Sequence, residues 1–292
     1  MEGIILSGIG GFYTVLEDSG ERHTLRAQGK LRRQRLTPLV GDRVSFQPGE
    51  AGQNGWLEAI LPRRSELIRP PVANIDLIGV VVSAGTPAPD LLLADRMLMF
   101  ARKSGIETAL IVNKCDEDSA MAEDIARQYS GSGARVFRTC AMTGEGVDAL
   151  KAALSGRVHA LGGQSGVGKS SLINRLYGFA RETGALSEKI ERGKNTTRHC
   201  ELIPLPDGGM VLDTPGFSLL DLTLCDPFEL RFLVPELEPF EGQCRFQPCA
   251  HVSEPGCAAR AAVEEGRVSR QRWVRYCELF EDMKIRWRDR YD

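Results

Sequence analysis

Two short segments constrain this chain more than anything else in it, and their order is reversed from the usual one. Residues Gly163 to Ser170 read GQSGVGKS, a glycine-rich pattern whose backbone amides converge on phosphate oxygens. Upstream of it stands Asn113-Lys114-Cys115-Asp116, a guanine-reading pattern. An ordinary guanine-nucleotide domain carries the base-reading segment after the phosphate loop. The reversal predicts a circularly permuted domain. A site assembled in space survives joined termini and a new opening in a surface loop, provided the packed core is kept.

Each part of the site has a chemical role. Across Gly163, Gln164, Ser165, Gly166, Val167 and Gly168 the chain can approach phosphate closely. Lys169 brings a positive charge to the β and γ phosphates. Ser170 offers a hydroxyl to Mg²⁺, and Ser171 completes the stretch. A carboxylate at Asp116 accepts from both N1–H and the 2-amino group of guanine; adenine has no such donor pair. Lys114 can lie across the base, and Asn113 can tie strands together. Cys140-Ala141 follows a β run and would offer the Ala141 N–H to guanine O6. Asp213-Thr214-Pro215-Gly216 ends another apolar β run. Asp213 would face the magnesium ion through water, and the Gly216 N–H would sense the γ-phosphate.

Between these motifs lies Arg192-Gly193-Lys194-Asn195-Thr196-Thr197-Arg198-His199, where a switch segment belongs. Thr196 and Thr197 are both candidates for ordering on Mg²⁺ and the γ-phosphate, with Thr197 preferred. Phe217 follows Gly216, a position where many such enzymes carry a glutamine that orients water. An aromatic ring cannot do that, so slow intrinsic hydrolysis is expected. Lys169, Asn195 and Thr197 are the candidate catalytic residues.

Cys244, Cys249, His251 and Cys257 form C-x4-C-x-H-x5-C, three thiols and one imidazole within fourteen residues. That donor set suits a closed tetrahedral zinc site. The other five of the eight cysteines are scattered and read as packing residues, and His159, inside a β run, reads as a satisfied core histidine.

Around these motifs the chain divides into three regions. Residues 1–68 are β-rich, broken by turn signals such as Gly10-Gly11 and Asn54-Gly55, and read as a small five-stranded barrel. Seven Lys/Arg against one acid between Arg22 and Arg43 give that barrel a basic stretch suited to RNA or to solvent. Residues 69–222 alternate strands and helices, which predicts a parallel sheet covered on both faces. Strands are expected at Leu77–Val82, Thr108–Val112, Arg135–Arg138, Val158–Leu161 and Met210–Leu212. Helices are expected at Leu91–Lys103, Ala120–Tyr129 and Ser170–Tyr177. Residues 223–292 are irregular, hold the cysteine cluster and end in a helix near Val268–Tyr291. Eight Lys/Arg against four acids from Arg267 to Arg290 read either as a solvated face or as an RNA contact. The net charge is only −2, so any nucleic-acid contact must come from local patches. No apolar run reaches membrane-spanning length, and no signal peptide is apparent, so a reduced, cytoplasmic monomer is expected.

The permuted motif order together with the Cys244–Cys257 pattern resembles the ribosome small subunit-dependent GTPase A family, the YjeQ/YloQ type, over nearly the whole length. The resemblance implies an N-terminal OB-fold, a central permuted P-loop GTPase domain and a C-terminal α-rich zinc domain. It also implies GTP or GDP, Mg²⁺ and one Zn²⁺ as bound groups, contact with 16S rRNA and the 30S subunit late in its maturation, and ribosome-stimulated GTP hydrolysis. Similar proteins carry histidine immediately before the threonine pair, where this chain has Asn195. Asparagine hydrogen-bonds water but does not take its proton at neutral pH. A GTP-gated RNA-binding scaffold with weak catalysis is therefore the alternative expectation.

Overall fold

The structure is a computed structural model and describes residues 1–29, 31, 36–49, 53–68, 70–178, 200–213 and 225–291. Most of the basic stretch after Ala27, the switch residues Asn195, Thr196 and Thr197, and Gly216 and Phe217 lie outside the described residues.

Buried side chains alternate with more exposed ones over Arg43–Gln47 and at the start of Gly55–Ile60, as a half-buried sheet requires, whereas Gly3, Ile4, Ile5 and Leu6 are all buried. The N-terminal strands are β1 (Glu2–Ile9), β2 (Phe12–Glu17), β3 (Arg22–Ala27), β4 (Arg43–Gln47) and β5 (Gly55–Ile60). β1 pairs with β2, β2 with β3, β3 with β5 in parallel, and β5 with β4. An antiparallel β1–β4 pairing then closes the ring, which leaves no free edge. Ile5, Val15, Leu25, Leu31, Val44, Phe46 and Leu57 fill the centre. Burial of each such side chain is worth roughly 1.5–3 kcal/mol. Arg63 braces the outside. Its guanidinium donates to both oxygens of the buried Asp42, at 2.7 and 2.8 Å, and to the Thr37 carbonyl at 2.7 Å. A short ribbon, β6 (Glu66–Leu67) with β7 (Val72–Ala73), follows.

The chain then alternates as expected: β8 (Leu77–Ser83), α1 (Leu91–Lys103), β9 (Glu107–Asn113), α2 (Ser119–Gln128), β10 (Arg135–Arg138), α3 (Val147–Leu154), β11 (Val158–Gly162) and α4 (Lys169–Tyr177). Asp90 caps α1 by accepting from the Leu93 N–H, and Asp118 caps α2 in the same way through Met121. β12 (Glu201–Pro204) and β13 (Met210–Asp213) complete the strands. β9 and β10 pair in parallel, as do β11 and β13. β12 departs from the all-parallel expectation, running antiparallel to β13 with Leu202 opposite Leu212. Past residue 225 come 3-10 turns at Pro227–Leu233 and Pro235–Phe240, then α5 (Ala258–Glu264) and α6 (Arg270–Arg288).

The described chain forms two compact units. The first comprises Met1–Ile78, Lys151–Leu161 and Tyr177–Leu219; the second comprises Gly79–Leu150, Gly162–Leu176 and Leu220–Asp292. Within the second unit α6 grips α1 through a buried charge cluster. Arg272 lies 2.8 Å from Glu236 and 3.4 Å from Asp95, and Arg275 also pairs with Asp95. Both guanidinium groups stand over the ring of the buried Tyr129, at 4.4 and 5.5 Å. Two cations against two carboxylates leave the cluster balanced, which is the condition for tolerating such charges indoors.

Candidate nucleotide site and metal centre

Asn113 is the keystone of the candidate nucleotide site. It ends β9 with its side chain almost fully buried. Its Nδ2 donates to the Val167 carbonyl of the phosphate loop at 2.9 Å. Its Oδ1 accepts from the Thr139 hydroxyl and from the Ala141 N–H, each at 3.2 Å. One side chain therefore joins the base-reading strand, the Cys140-Ala141 turn and the glycine-rich loop. Cys140 is buried beneath that turn, and its Sγ accepts from the Thr143 N–H at 3.3 Å.

The next residues turn outward. Lys114 passes through the left-handed region (φ 62°), a conformation that L side chains seldom adopt. Its ammonium donates to the Thr86 carbonyl and lies 3.5 Å from Glu117. Glu117 also accepts from the Thr86 N–H at 2.6 Å, so the 84–90 loop is clasped against this turn. Asp116 is exposed, and its carboxylate has no hydrogen-bond or ion-pair partner among the described residues.

The phosphate loop leaves β11 and enters α4. Only glycine fits two of its positions. At Gly163 (φ 137°) a Cβ would collide with the Val81 carbonyl, and at Gly168 (φ 92°) with the Asn113 amide. Lys169 folds its ammonium back onto the carbonyls of Gly163 and Gln164, at 2.8 and 2.7 Å. Burial pushes its pKa below the ordinary lysine value. A polyanion beside it would remove that penalty, so the residue fits a phosphate ligand. Gln164 accepts from the Asp90 N–H at 3.3 Å, linking the loop to the start of α1. Ser165, Gly166, Ser170 and Ser171 are exposed, while Leu172 and Leu176 anchor α4 inward.

Asp213 closes β13 in the first unit. The register Ala160↔Leu212 sets it at the C-terminal end of the strand beside β11. His159 in β11 is fully buried and satisfied. Its Nδ1 donates to the Arg157 carbonyl at 3.2 Å, and its Nε2 accepts from the Tyr177 hydroxyl at 2.8 Å.

The four predicted metal ligands converge. Cys244, Cys249, His251 and Cys257 are all buried, with ligand atoms within 4.8 Å of one another. Cys244 Sγ lies 3.5 Å from His251 Nδ1 and 3.9 Å from Cys257 Sγ, and His251 Nδ1 lies 3.4 Å from Cys257 Sγ. The edges of a tetrahedron around zinc are ~3.8 Å between sulfurs and ~3.6 Å between sulfur and nitrogen, from the usual bond lengths. The cluster fits that ion. Backbone N–H groups of His251, Ala258 and Arg260 point at Cys249, Cys244 and Cys257 sulfurs at 3.3–3.5 Å, which favours thiolate. Burial first, and then the neighbouring thiols, push the Cys249 and Cys257 thiols up, so a cation is what makes three thiolates tolerable here.

Sequence reasoning missed Glu241. Its carboxylate accepts from His251 Nε2–H at 2.8 Å while also pairing with Arg231, and so turns Nδ1 toward the thiols. No spacing rule finds it. His251 itself takes a left-handed backbone (φ 61°), and the Trp273 indole N–H holds its carbonyl at 2.8 Å.

A family model described as RsgA GTPase matches residues 60–223, and one described as RsgA N-terminal domain matches residues 2–57. The chain belongs to the RsgA GTPase family. Members of that family are GTP hydrolases, and the folds expected of them are the ones found here: an OB-like closed barrel, a permuted GTPase domain and a C-terminal Cys3His region. A protein of Moorella thermoacetica named Small ribosomal subunit biogenesis GTPase RsgA is 43% identical over 289 residues, covering 99% of both chains. The crystal structure of YjeQ from Thermotoga maritima is 34% identical with a TM-score of 0.84, covering 97% of this chain and 98% of that one. The structure of YloQ, described as a circularly permuted GTPase, is 35% identical with a TM-score of 0.78, covering 98% and 95%.

Proposed function

We propose that this chain hydrolyses GTP in the service of small ribosomal subunit maturation, docking on the 30S subunit and its 16S rRNA in the GTP state and leaving after hydrolysis. The observation that carries the reading is the Asn113 junction, which joins a guanine-reading turn to a phosphate loop that follows it in the chain. Relatives that match over the full length bear the name Small ribosomal subunit biogenesis GTPase.

In this reading Asp116 accepts from guanine N1–H and the 2-amino group, Lys114 flanks the ring, and Ala141 shares its N–H between Asn113 and guanine O6. The amides of the Gly163–Ser171 stretch and the Lys169 ammonium neutralise charge that builds on the β and γ phosphates as water attacks in line. Ser170, Thr197 and Asp213 would hold Mg²⁺, which supplies further charge neutralisation there. Gly216 senses the γ-phosphate, Thr196 or Thr197 orders with it, and Asn195 hydrogen-bonds the attacking water. One structural zinc sits on Cys244, Cys249, His251 and Cys257. The division into residues 1–68, 69–222 and 223–292, the monomeric state and the cytoplasmic location belong to the same reading.

The test is GTP turnover with and without purified small subunits. Stimulation by subunits, abolished in Lys169→Ala, supports the cycle. GTP-dependent docking without turnover would instead favour the scaffold, a reading motivated by Asn195 and Phe217.

A further inference from the structure

The residue after the base-reading motif is one that the motif does not explain. Glu117 follows Asp116, and both oxygens of its carboxylate are engaged. Its Oε2 accepts from the Thr86 N–H at 2.6 Å, and its Oε1 lies 3.5 Å from the Lys114 ammonium. That ammonium donates in turn to the Thr86 carbonyl. The Glu117 N–H donates to the Lys114 carbonyl at 3.0 Å. Lys114, Thr86 and Glu117 thus form a closed ring of contacts. Gly85 makes room for it: a Cβ there would stand 2.0 Å from Glu117 Oε2 and 2.6 Å from its Cβ. The 84–90 loop is held at its other end by the phosphate loop. There the Asp90 N–H donates to Gln164, and Pro87 lies 3.4 Å from where a Cβ on Gly166 would be.

The ring resolves two conflicts in a base pocket. A lysine stem is flexible, and laying it along a base costs conformational entropy unless its far end is already tethered. The second conflict concerns charge. Asp116 lies two residues from Lys114 and has no hydrogen-bond or ion-pair partner among the described residues. An untethered ammonium would be drawn to that carboxylate and would compete with the guanine donors for it. Glu117 gives the ammonium another anion and leaves Asp116 open. A carboxylate that served only to solubilise the turn would need neither contact.

We propose that Glu117 is a positioning residue for guanine recognition: it tethers the Lys114 ammonium to the 84–90 loop, fixes the lysine stem as a wall of the base pocket and keeps Asp116 free for the base. The proposal rests on the reading that Lys114 and Asp116 meet guanine, and adds the residue that sets their geometry. Glu117 acts through Lys114, so its influence falls on the base half of the site and not on the phosphate half.

The test uses the full chain, a fluorescent GDP whose release is followed by stopped flow, and inorganic tripolyphosphate, which has no base, as a competitor. Glu117→Ala should speed GDP release about tenfold, the scale of one charge-assisted hydrogen bond at a partly exposed site. Glu117→Gln keeps an oxygen for the Thr86 N–H but offers Lys114 no charge, and should fall between wild type and Glu117→Ala. The inhibition constant of tripolyphosphate should change less than about twofold in both variants. Lys114→Met keeps an apolar stem and removes the tethered charge. In that background Glu117→Ala should add less than about twofold, because the residue it acts through is gone. Unchanged GDP release in Glu117→Ala would overturn the positioning role. So would an equal loss for GDP and tripolyphosphate, or a loss undiminished in the Lys114→Met background. A wild type indifferent to guanosine over adenosine would strike the underlying reading instead, so the two failures show in different samples.

Discussion

The Asn113 junction with its phosphate loop and the cysteine cluster share one compact unit and are built on opposite plans. The nucleotide site draws on segments far apart in the chain: Asn113 bonds Val167 and Ala141, and Glu117 ties in Thr86. The cluster gathers its ligands from fourteen consecutive residues, in which the buried side chains are the four ligands and Ala250. The first plan needs no ligand to hold its shape, because backbone carbonyls accept from Lys169 and from the Asn113 Nδ2, and Thr139 and Ala141 donate to the Asn113 Oδ1. The second sets three buried thiols against one another and waits on a cation. The comparison shows why permutation is harmless to one site and irrelevant to the other. A spatially assembled pocket ignores chain order, whereas a local knot depends on spacing alone.

The strongest way to break this contrast is to strip the metal. Structural zinc contributes roughly 10–16 kcal/mol in small metal-dependent modules. Chelation, or Cys257→Ser, should collapse amide protection first and furthest across residues 244–283 in hydrogen exchange. Residues 107–113 and 163–172 should lose much less. Equal loss in both regions would erase the distinction. Lowering pH should act in the same direction as chelation, because protons compete with the metal for the thiolates.

On the other side of the comparison, Asn113→Ala leaves the Val167 carbonyl, the Ala141 N–H and the Thr139 hydroxyl without their partner. One to three kcal/mol per unsatisfied buried group suggests a loss of about 3 kcal/mol, or ~100-fold in GTP affinity. Titration with a fluorescent GTP analogue reads this directly, and the cysteine region should keep its zinc.

Glu241→Gln sharpens the same contrast more gently. Removing the carboxylate behind a metal-ligating histidine typically costs 10- to 100-fold in affinity. Competition with a zinc-responsive dye would measure it. An unchanged affinity would mean that His251 is oriented by the Trp273 contact instead.

The smallest effect concerns His159. Burial holds its pKa below 6.5. As pH falls through 6.5 the unfolded chain takes up the proton before the folded chain does, so stability declines toward acid. The slope from this group cannot exceed about 1.4 kcal/mol per pH unit. Thermal denaturation from pH 7.5 to 5.5 should show that component, and His159→Gln should flatten it. A slope unchanged by the substitution would assign the acid sensitivity elsewhere.

Much of this was legible in the sequence because motifs that meet ligands carry their own geometry. Gly163 and Gly168 are glycine since a carbonyl and an amide stand where a Cβ would be. The apolar runs of β8 and β9 and the helical spacing of α1 gave their elements away. Other features depend on partners that no local pattern names. β12 is four residues long, and its antiparallel direction is set by β13. α3 follows two glycines, Gly144 and Gly146, and offers only two turns of periodicity. Glu241 lies ten residues from the histidine it orients, and Asp95 lies far upstream of the two arginines that clasp it. In each case the fold brings the groups together, and the sequence shows only ordinary surface carboxylates.

The account stands on a turn placed before the phosphate loop reading the base that the loop holds. Asp116→Asn tests this most directly, by measuring affinities for guanosine, xanthosine and adenosine triphosphates in the wild type and the variant. A carboxylate pairs with guanine's two donors, whereas an amide offers a donor to the carbonyl that xanthine carries in place of the 2-amino group. The wild type should therefore prefer guanosine strongly, and the variant should shift its preference to xanthosine. A wild type indifferent to the base, or a variant that binds guanosine as before, would contradict it.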